Sequence, residues 1–331
     1  MQEIVKHNGK YHSEVDVAVL LLFFTRTNIT KRTFEQIRKA RPSRLYLYQD
    51  GAREGRQDDI QNIAQCREAI ESMIDWECEI HKFYQEKNHG CDPSEYISQK
   101  WMFETEEKGV VIEDDDAMSV SFFRFCKELL DRYENDTRFN MICGMNHLGV
   151  YEDCPYDYFY TRNGGAIWGW ATWKRVIDQW DSQYGFLQDK YAIDNLYAEF
   201  GVQFSNAFVE TCKRHLASGR EHYESIFGAF TKLSFGLNII PTRNMTSNIG
   251  VDAETTHSVA DISKLPRATR RMLYMKTHEI DFPLKHPKYV QADYGYWRKV
   301  LRQMNGNWFV RTFKTRKIES LLYKWFPVLG K

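Results

Sequence analysis

Val110-Val111-Ile112-Glu113-Asp114-Asp115-Asp116 runs three apolar residues straight into four carboxylates. An apolar run this short reads as a strand covered on both faces, and the acidic residues mark its carboxyl end. Ligand sites in α/β sheets lie outside the carboxyl ends of strands. Four adjacent carboxylates raise one another's pKa, a conflict that a divalent cation removes. Hard oxygen donors suit Mg²⁺ or Mn²⁺, ions that also take oxygens of a nucleotide diphosphate. Continued extension places Glu113 and Asp115 on one side, Asp114 and Asp116 on the other. The bland alternative is a solvated acidic turn ahead of a helix that begins near Ser119.

Two earlier segments repeat the pattern. Val15 to Phe24 is an almost unbroken apolar run followed by Thr25-Arg26-Thr27-Asn28. Thr30 is placed to cap a helix carrying Phe34, Ile37 and Ala40, which Pro42 stops. Leu45 to Tyr48 is a second strand, ending in Gln49-Asp50-Gly51. Arg26 is a candidate for a diphosphate or base, or an ordinary loop cation. Asp50 is a candidate for a nucleobase or ribose contact, or a turn residue before glycine. Helical spacing follows over Ile60–Trp76 and Pro93–Glu107, and again through Phe122, Phe125, Cys126, Leu129, Leu130 and Tyr133. Glu79–Phe83, Asn140–Gly144 and Asn238–Pro241 complete the strands. Alternating strands and helices predict an α/β fold with a mostly parallel, Rossmann-like sheet flanked by helices.

The chain has 331 residues, 45 basic and 45 acidic, so its formal net charge is zero. That gives no electrostatic reason to expect nucleic acid as the partner. Seven scattered cysteines form no CxxC pair, against a zinc ribbon or a disulfide scaffold. Met1 to Glu14 is polar, without a signal-peptide apolar stretch, and the expected location is cytoplasmic.

Three blocks together resemble a known family. The strand end at Val110–Asp115 resembles the acidic (DXD-type) motif of GT-A glycosyltransferases. Leu20 to Asp50 is similar to the opening of the Golgi N-acetylglucosaminyltransferases that initiate complex N-glycans, which are inverting and Mn²⁺-dependent. Ile167-Trp168-Gly169-Trp170-Ala171-Thr172-Trp173 and the Pro-x-x-Asn-x-x-Ser-Asn-Ile-Gly block at Pro241–Gly250, with Thr256-His257, resemble bacterial nucleotide-diphospho-sugar transferases of the hemolysin-related (HlpA-like) group. The resemblance covers about Val15 to His257.

It implies a GT-A fold in which residues 1–150 bind the nucleotide-sugar donor. Residues 151–260 form the acceptor half of the same domain, and 261–331 form a basic, aromatic C-terminal extension, helical or irregular. It implies transfer of a sugar from a nucleotide-diphosphate donor, a UDP-sugar favoured, to a glycan or lipid-linked hydroxyl. Asp115 and His257 become Mn²⁺ or Mg²⁺ ligands. Thr25, Arg26, Asp50, Glu113 and Asp114 become donor contacts.

The bacterial relatives carry Trp-Asp-Tyr-Gln at a fixed distance before the late proline. Counting back from Pro241 puts Glu224 at the aspartate and Tyr223 at the tryptophan, a departure at both positions. Glu224 becomes the base that deprotonates the acceptor. Glu221, three residues earlier and expected on the same helical face, is its rival, and Asp194 a more distant one. Trp168 and Trp170 are candidate acceptor platforms or core residues, with Trp173 expected inward. A sugar-1-phosphate nucleotidyltransferase would share the sheet and metal. It should show a Gly-rich, Arg-containing loop after the first strand, and Thr25–Asn28 contains no glycine. A non-catalytic carbohydrate-binding protein is the other alternative. Arg298 to Phe326 mixes Arg and Lys with Trp308, Phe309, Phe313, Trp325 and Phe326, suiting either a packed helix or a peripheral membrane contact.

Overall fold

The computed structural model describes residues 2–162, 164–250 and 267–304. The chain opens with β1 (Gln2–His7), β2 (Val15–Phe23), α1 (Thr27–Ala40), β3 (Pro42–Gln49), α2 (Gln57–Glu71), β4 (Cys78–Tyr84) and α3 (Cys91–Thr105). It continues through β5 (Lys108–Glu113), β6 (Asp116–Met118), α4 (Ser121–Arg132), β7 (Phe139–Cys143), β8 (Tyr158–Thr161) and β9 (Trp170–Trp173). Then come α5 (Lys174–Ile177), α6 (Lys190–Phe200), α7 (Val202–Ser218), α8 (Tyr223–Leu233), β10 (Leu237–Pro241), β11 (Thr246–Asn248), α9 (Arg267–Met272) and α10 (Tyr294–Met304).

Nine strands form one sheet in the order β1-β4-β3-β2-β5-β9-β7-β10-β8. The pairs β4/β3, β3/β2, β2/β5 and β7/β10 are parallel, while β1, β9 and β8 run against their neighbours. This is a mixed α/β fold with a largely parallel central sheet flanked by helices. Val17 to Phe23 of β2 are all buried, as a central strand with both faces covered requires. Helix α1 lays Ile29, Thr33, Phe34 and Ile37 on the sheet and ends where Arg41 turns left-handed, one residue before Pro42 opens β3. Thr30 lies inside this helix, its hydroxyl donating to the Arg26 carbonyl at 2.8 Å, so it is not the cap.

The polar N-terminus hides a strand. β1 pairs antiparallel with β4 at the sheet edge, and its exposed side chains lack the apolar signature of an inner strand. Two tryptophans of the aromatic block also resolve. Trp170 and Trp173 lie in β9 between β5 and β7, each 1% exposed, and the Trp173 indole donates to the Leu130 carbonyl at 3.0 Å. Among the described residues no helix is long and apolar enough to cross a membrane.

The connection order positions the site. From β2 the chain adds β3 and then β4 on one side. It then crosses back to place β5 on the other side of β2. The two loops leaving β2 and β5 therefore diverge, opening a crevice at their carboxyl ends.

Candidate functional site

Arg26 lies in the loop after β2 and Asp114 directly after β5, and the topological reversal brings the two together. Asp114 and Asp115 form a tight turn between β5 and β6. That turn breaks the alternation expected of an extended segment. The Arg26 guanidinium forks onto Asp114, with Nε at 3.2 Å from Oδ2 and Nη2 on Oδ1, and Nη2 also reaches Asp115 Oδ2 at 3.0 Å. Arg26 is thus the counter-ion of the acidic turn, not a cation left open for a diphosphate, and this pairing favours its charged form. The Thr33 hydroxyl holds the Asp114 carbonyl at 2.8 Å, tying the turn to α1.

The late block closes on the same turn. β11 pairs antiparallel with β6, setting Asn248 opposite Asp116. Asn248 Nδ2 donates to Asp115 Oδ1 at 2.9 Å, and the Ile249 amide to the Asp115 carbonyl at 2.9 Å. Arg26 Nη1 reaches the Gly250 carbonyl at 3.5 Å. A Cβ on Gly250 would stand 1.9 Å from Asp115 Oδ2, so only glycine fits beside that oxygen.

Asp116 does different work. It is fully buried, and its Oδ2 accepts from the Glu113 amide at 3.1 Å and the Gly169 amide at 2.7 Å, while Oδ1 has no partner. It fastens the strand end to the Trp-Gly-Trp block. A fifth carboxyl, Glu95 on α3, was not singled out in the sequence. It is buried, and burial pushes it up to about 8, with Asp115, Asp92 and Asp114 adding repulsion. Burial likewise raises Glu113 and Asp116 well above the usual range, with neighbouring carboxyls adding to it. Asp114 is pushed up to about 6 by burial, against the pull of Arg26.

Five carboxyls thus crowd together, and only Asp114 and Asp115 are paired with a guanidinium. Among the described residues no three His, Cys, Asp or Glu side chains form a ready metal cage. The donor set nevertheless fits a cation of the Mg²⁺ kind. Such ions take one or two carboxylates and complete their shell with water and substrate phosphates. His257 lies outside the described residues.

Other sequence candidates are placed elsewhere. Asp50 is buried and fully engaged: its carboxylate accepts from the amide of Gly51 beside it and, from the loop after β4, from the amides of His89 and Gly90 and Asn88 Nδ2, all within 3.1 Å. It is a loop anchor, with no oxygen left for a base or ribose. Thr25 is half-buried in the loop leading to Arg26. Trp170 is core, its ring 5.5 Å from that of Phe227, and cannot serve as an acceptor platform. Trp168 is half-buried, and its carbonyl accepts from the Thr246 hydroxyl at 2.7 Å.

Glu224 stands exposed in the first turn of α8. Glu221 precedes that helix, so the two share no helical face. Their segment is held near α3, where Arg220 donates to the His89 carbonyl at 2.7 Å and His222 pairs with Asp92 at 3.2 Å. Asp194 is exposed on α6 and paired with Lys190 at 2.5 Å. The missed residues Glu95, Asn248 and Gly250 left different traces. Glu95 shares an inward helical face with Ser98, Gln99 and Met102, a charge where an apolar residue is expected. Asn248 and Gly250 belong to the quoted Ser-Asn-Ile-Gly block, for which the sequence suggested no role.

No protein-family model and no curated protein matches the chain. Among solved structures it is similar to UDP-glucose pyrophosphorylase complexed with UDP-glucose, at 10% identity and TM-score 0.31, over 49% of this chain and 78% of that one. It is also similar to the glycosyltransferase GlyE of Streptococcus pneumoniae TIGR4, at 11% identity and TM-score 0.27, over 56% of this chain and 39% of that one. For the apo form of GlyE the identity is 10% and the TM-score 0.31, over 67% and 44%. The chain spans less than half the length of GlyE, and likenesses this faint carry no weight for activity.

Proposed function

We propose that the chain is a glycosyltransferase of the GT-A type, moving a sugar from a nucleotide-diphosphate donor, a UDP-sugar favoured, to a glycan or lipid-linked hydroxyl. The observation that carries this reading is the mutual crowding of five carboxyls at the acidic turn where β2 and β5 diverge, only two of which, Asp114 and Asp115, pair with Arg26. A fold keeps such repulsion where a bound cation and ligand relieve it. Asp115 is the residue for Mn²⁺ or Mg²⁺, its Oδ1 oriented by Asn248 and its Oδ2 left room by Gly250. His257 is a second ligand by resemblance. A bound cation supplies charge neutralisation on the departing diphosphate.

This chain's own residues supply the rest. Arg26 fixes the turn and keeps Asp114 ionised beside Asp115. Glu113 faces the crevice as a donor contact. Glu224, exposed where α8 begins, is the candidate base for the acceptor hydroxyl, with Glu221 its rival. Inversion at the anomeric carbon follows from a separate base, and a product that retains the donor's configuration eliminates it.

Thermal unfolding with UDP and a panel of UDP-sugars, with and without Mn²⁺, tests the assignment. A rise in Tm that needs nucleotide and metal together is expected. No shift with any nucleotide sugar overturns the reading. Pyrophosphate release from a nucleoside triphosphate plus a sugar 1-phosphate would instead identify a nucleotidyltransferase.

A further inference from the structure

A pocket of about 300 Å³ opens on the other half of the sheet, bounded by β7, β10, α6, α8 and Trp297 of α10. Its floor is the parallel pair β7/β10, where Met141 and Asn238 stand in register and share a face. The loop leading into β9 forms one rim. There Gly164 takes a φ of 90°, and a Cβ on it would stand 2.7 Å from the Trp297 ring, so glycine lets the indole pack directly on the loop.

The pocket holds few polar groups, and one of them is incomplete. Asn238 is 8% exposed, and its Nδ2 donates to the Gly164 carbonyl at 2.8 Å. That bond fixes the amide orientation and leaves Oδ1 a buried acceptor without a donor. Arg162 and Glu199 pair at 3.0 Å in the lining, so their charges cancel. Lys232 has no carboxylate partner among the described residues; it donates to the Gly228 carbonyl at 3.2 Å and lies 4.6 Å from the Phe208 ring. Phe200, Phe227 and Trp297 supply aromatic surface. The volume is at the small end of ligand pockets, roughly 300–1,000 Å³. An orphaned acceptor calls for an O–H donor, the cations call for oxygens, and aromatic faces suit the C–H face of a pyranose. A sugar ring carries all three. A nucleotide base would suit the aromatics too, but β5 and β9 separate this floor from the strand that leads to Arg26.

We propose that this pocket seats a sugar ring of the acceptor, which makes the acceptor a glycan. The acceptor role rests on the glycosyltransferase reading; the saccharide site itself does not. Helix α8 joins the pocket to the chemistry. Glu224, Phe227 and Thr231, at i, i+3 and i+7, share one face of α8, and the last two line the pocket. Tyr223, beside Glu224, lies close enough to Glu95 and Glu113 to feel their charge, so this helix face runs from the pocket toward the acidic turn. Glu224 and Thr231 are about 10 Å apart along the axis, at 1.5 Å per residue. Trp170 serves from beneath, its ring 5.5 Å from that of Phe227.

Thr231→Trp fills the pocket from a half-buried helix position, and Arg162→Ala removes a donor from its lining. An array of immobilised saccharides would select the probe, and calorimetry on the full chain would measure it beside UDP with Mn²⁺. The expected result is that Thr231→Trp weakens the selected saccharide at least about tenfold. Arg162→Ala should weaken it about three- to tenfold, the worth of one hydrogen bond, with UDP affinity within about twofold in both variants. Saccharide affinity unchanged in both variants overturns the pocket, as does a wild-type chain that binds no saccharide on the array. In either case a joint response to UDP and Mn²⁺ leaves the glycosyltransferase reading standing. A chain that binds saccharide here but no nucleotide sugar keeps the site, and overturns the acceptor role and the glycosyltransferase reading.

Discussion

Asp50 and Asp115 both follow the carboxyl end of a parallel strand, yet their surroundings are opposite. Every oxygen of Asp50 is taken by backbone amides and Asn88, so the carboxylate is a finished part of its loop. Asp115 shares one guanidinium with Asp114 and stands among carboxyls whose mutual repulsion the protein leaves standing. Position at a strand end therefore does not separate a structural acid from a functional one. Satisfaction does. A fold completes the interactions it needs for itself and leaves incomplete those a ligand will complete.

The comparison breaks most sharply on exchange of the two acids. Asp115→Asn keeps the shape and removes one charge from a repelling group. Transfer activity should fall about 10²–10³-fold, the range seen for losing one preorganised electrostatic group, with Tm unchanged or raised. Gly250→Ala should do nearly as much through geometry, because its methyl occupies the space beside Asp115 Oδ2. Turnover assays and thermal unfolding on both variants check this. An active Asp115→Asn enzyme would mean that the acidic turn is structural after all.

Asp50→Ala should invert that outcome. It strands the Gly51 amide after β3 and the His89 and Gly90 amides after β4, a loss of about 2–3 kcal/mol. Tm should drop by roughly 5 °C or more, with activity per folded molecule within about tenfold of wild type. A stable but inactive Asp50→Ala protein would restore Asp50 as a direct donor contact.

Much of this was legible in the sequence where the signal was local. The unbroken apolar run of Val15–Phe24, the acidic end at Glu113 and the inward face of α4 depend on burial patterns within a few residues. The pairing of Arg26 with Asp114, and of Asn248 with Asp115, depends on strand order, which sets residues 88 and 133 positions apart side by side. No local pattern encodes that. Trp170 failed as a platform for the same reason: a tryptophan on an antiparallel strand between β5 and β7 is core, and the strand becomes visible only through its partners. Glu95 was hidden by the opposite effect, an acidic residue on a helix being read as solvent-facing unless the helix's inward face is known.

The smallest effect probes Glu95 itself. Burial raises this carboxyl to about 8 in the folded chain, against about 4.5 when unfolded. In that interval the folded state holds a proton that the unfolded state has released, so stability falls as pH rises. The contribution is fully present below pH 4.5 and lost on approaching pH 8. Glu95→Gln, which keeps the hydrogen-bonding shape without the charge, should raise Tm by a few degrees at pH 8 in metal-free buffer and change it little at pH 5. Added Mn²⁺ should narrow the gap at pH 8, since a nearby cation stabilises the ionised form of wild-type Glu95. Equal Tm values for wild type and Glu95→Gln across that range would place Glu95 with Asp50 among the satisfied acids, and the contrast between the two strand ends would shrink to Asp115 and its immediate neighbours.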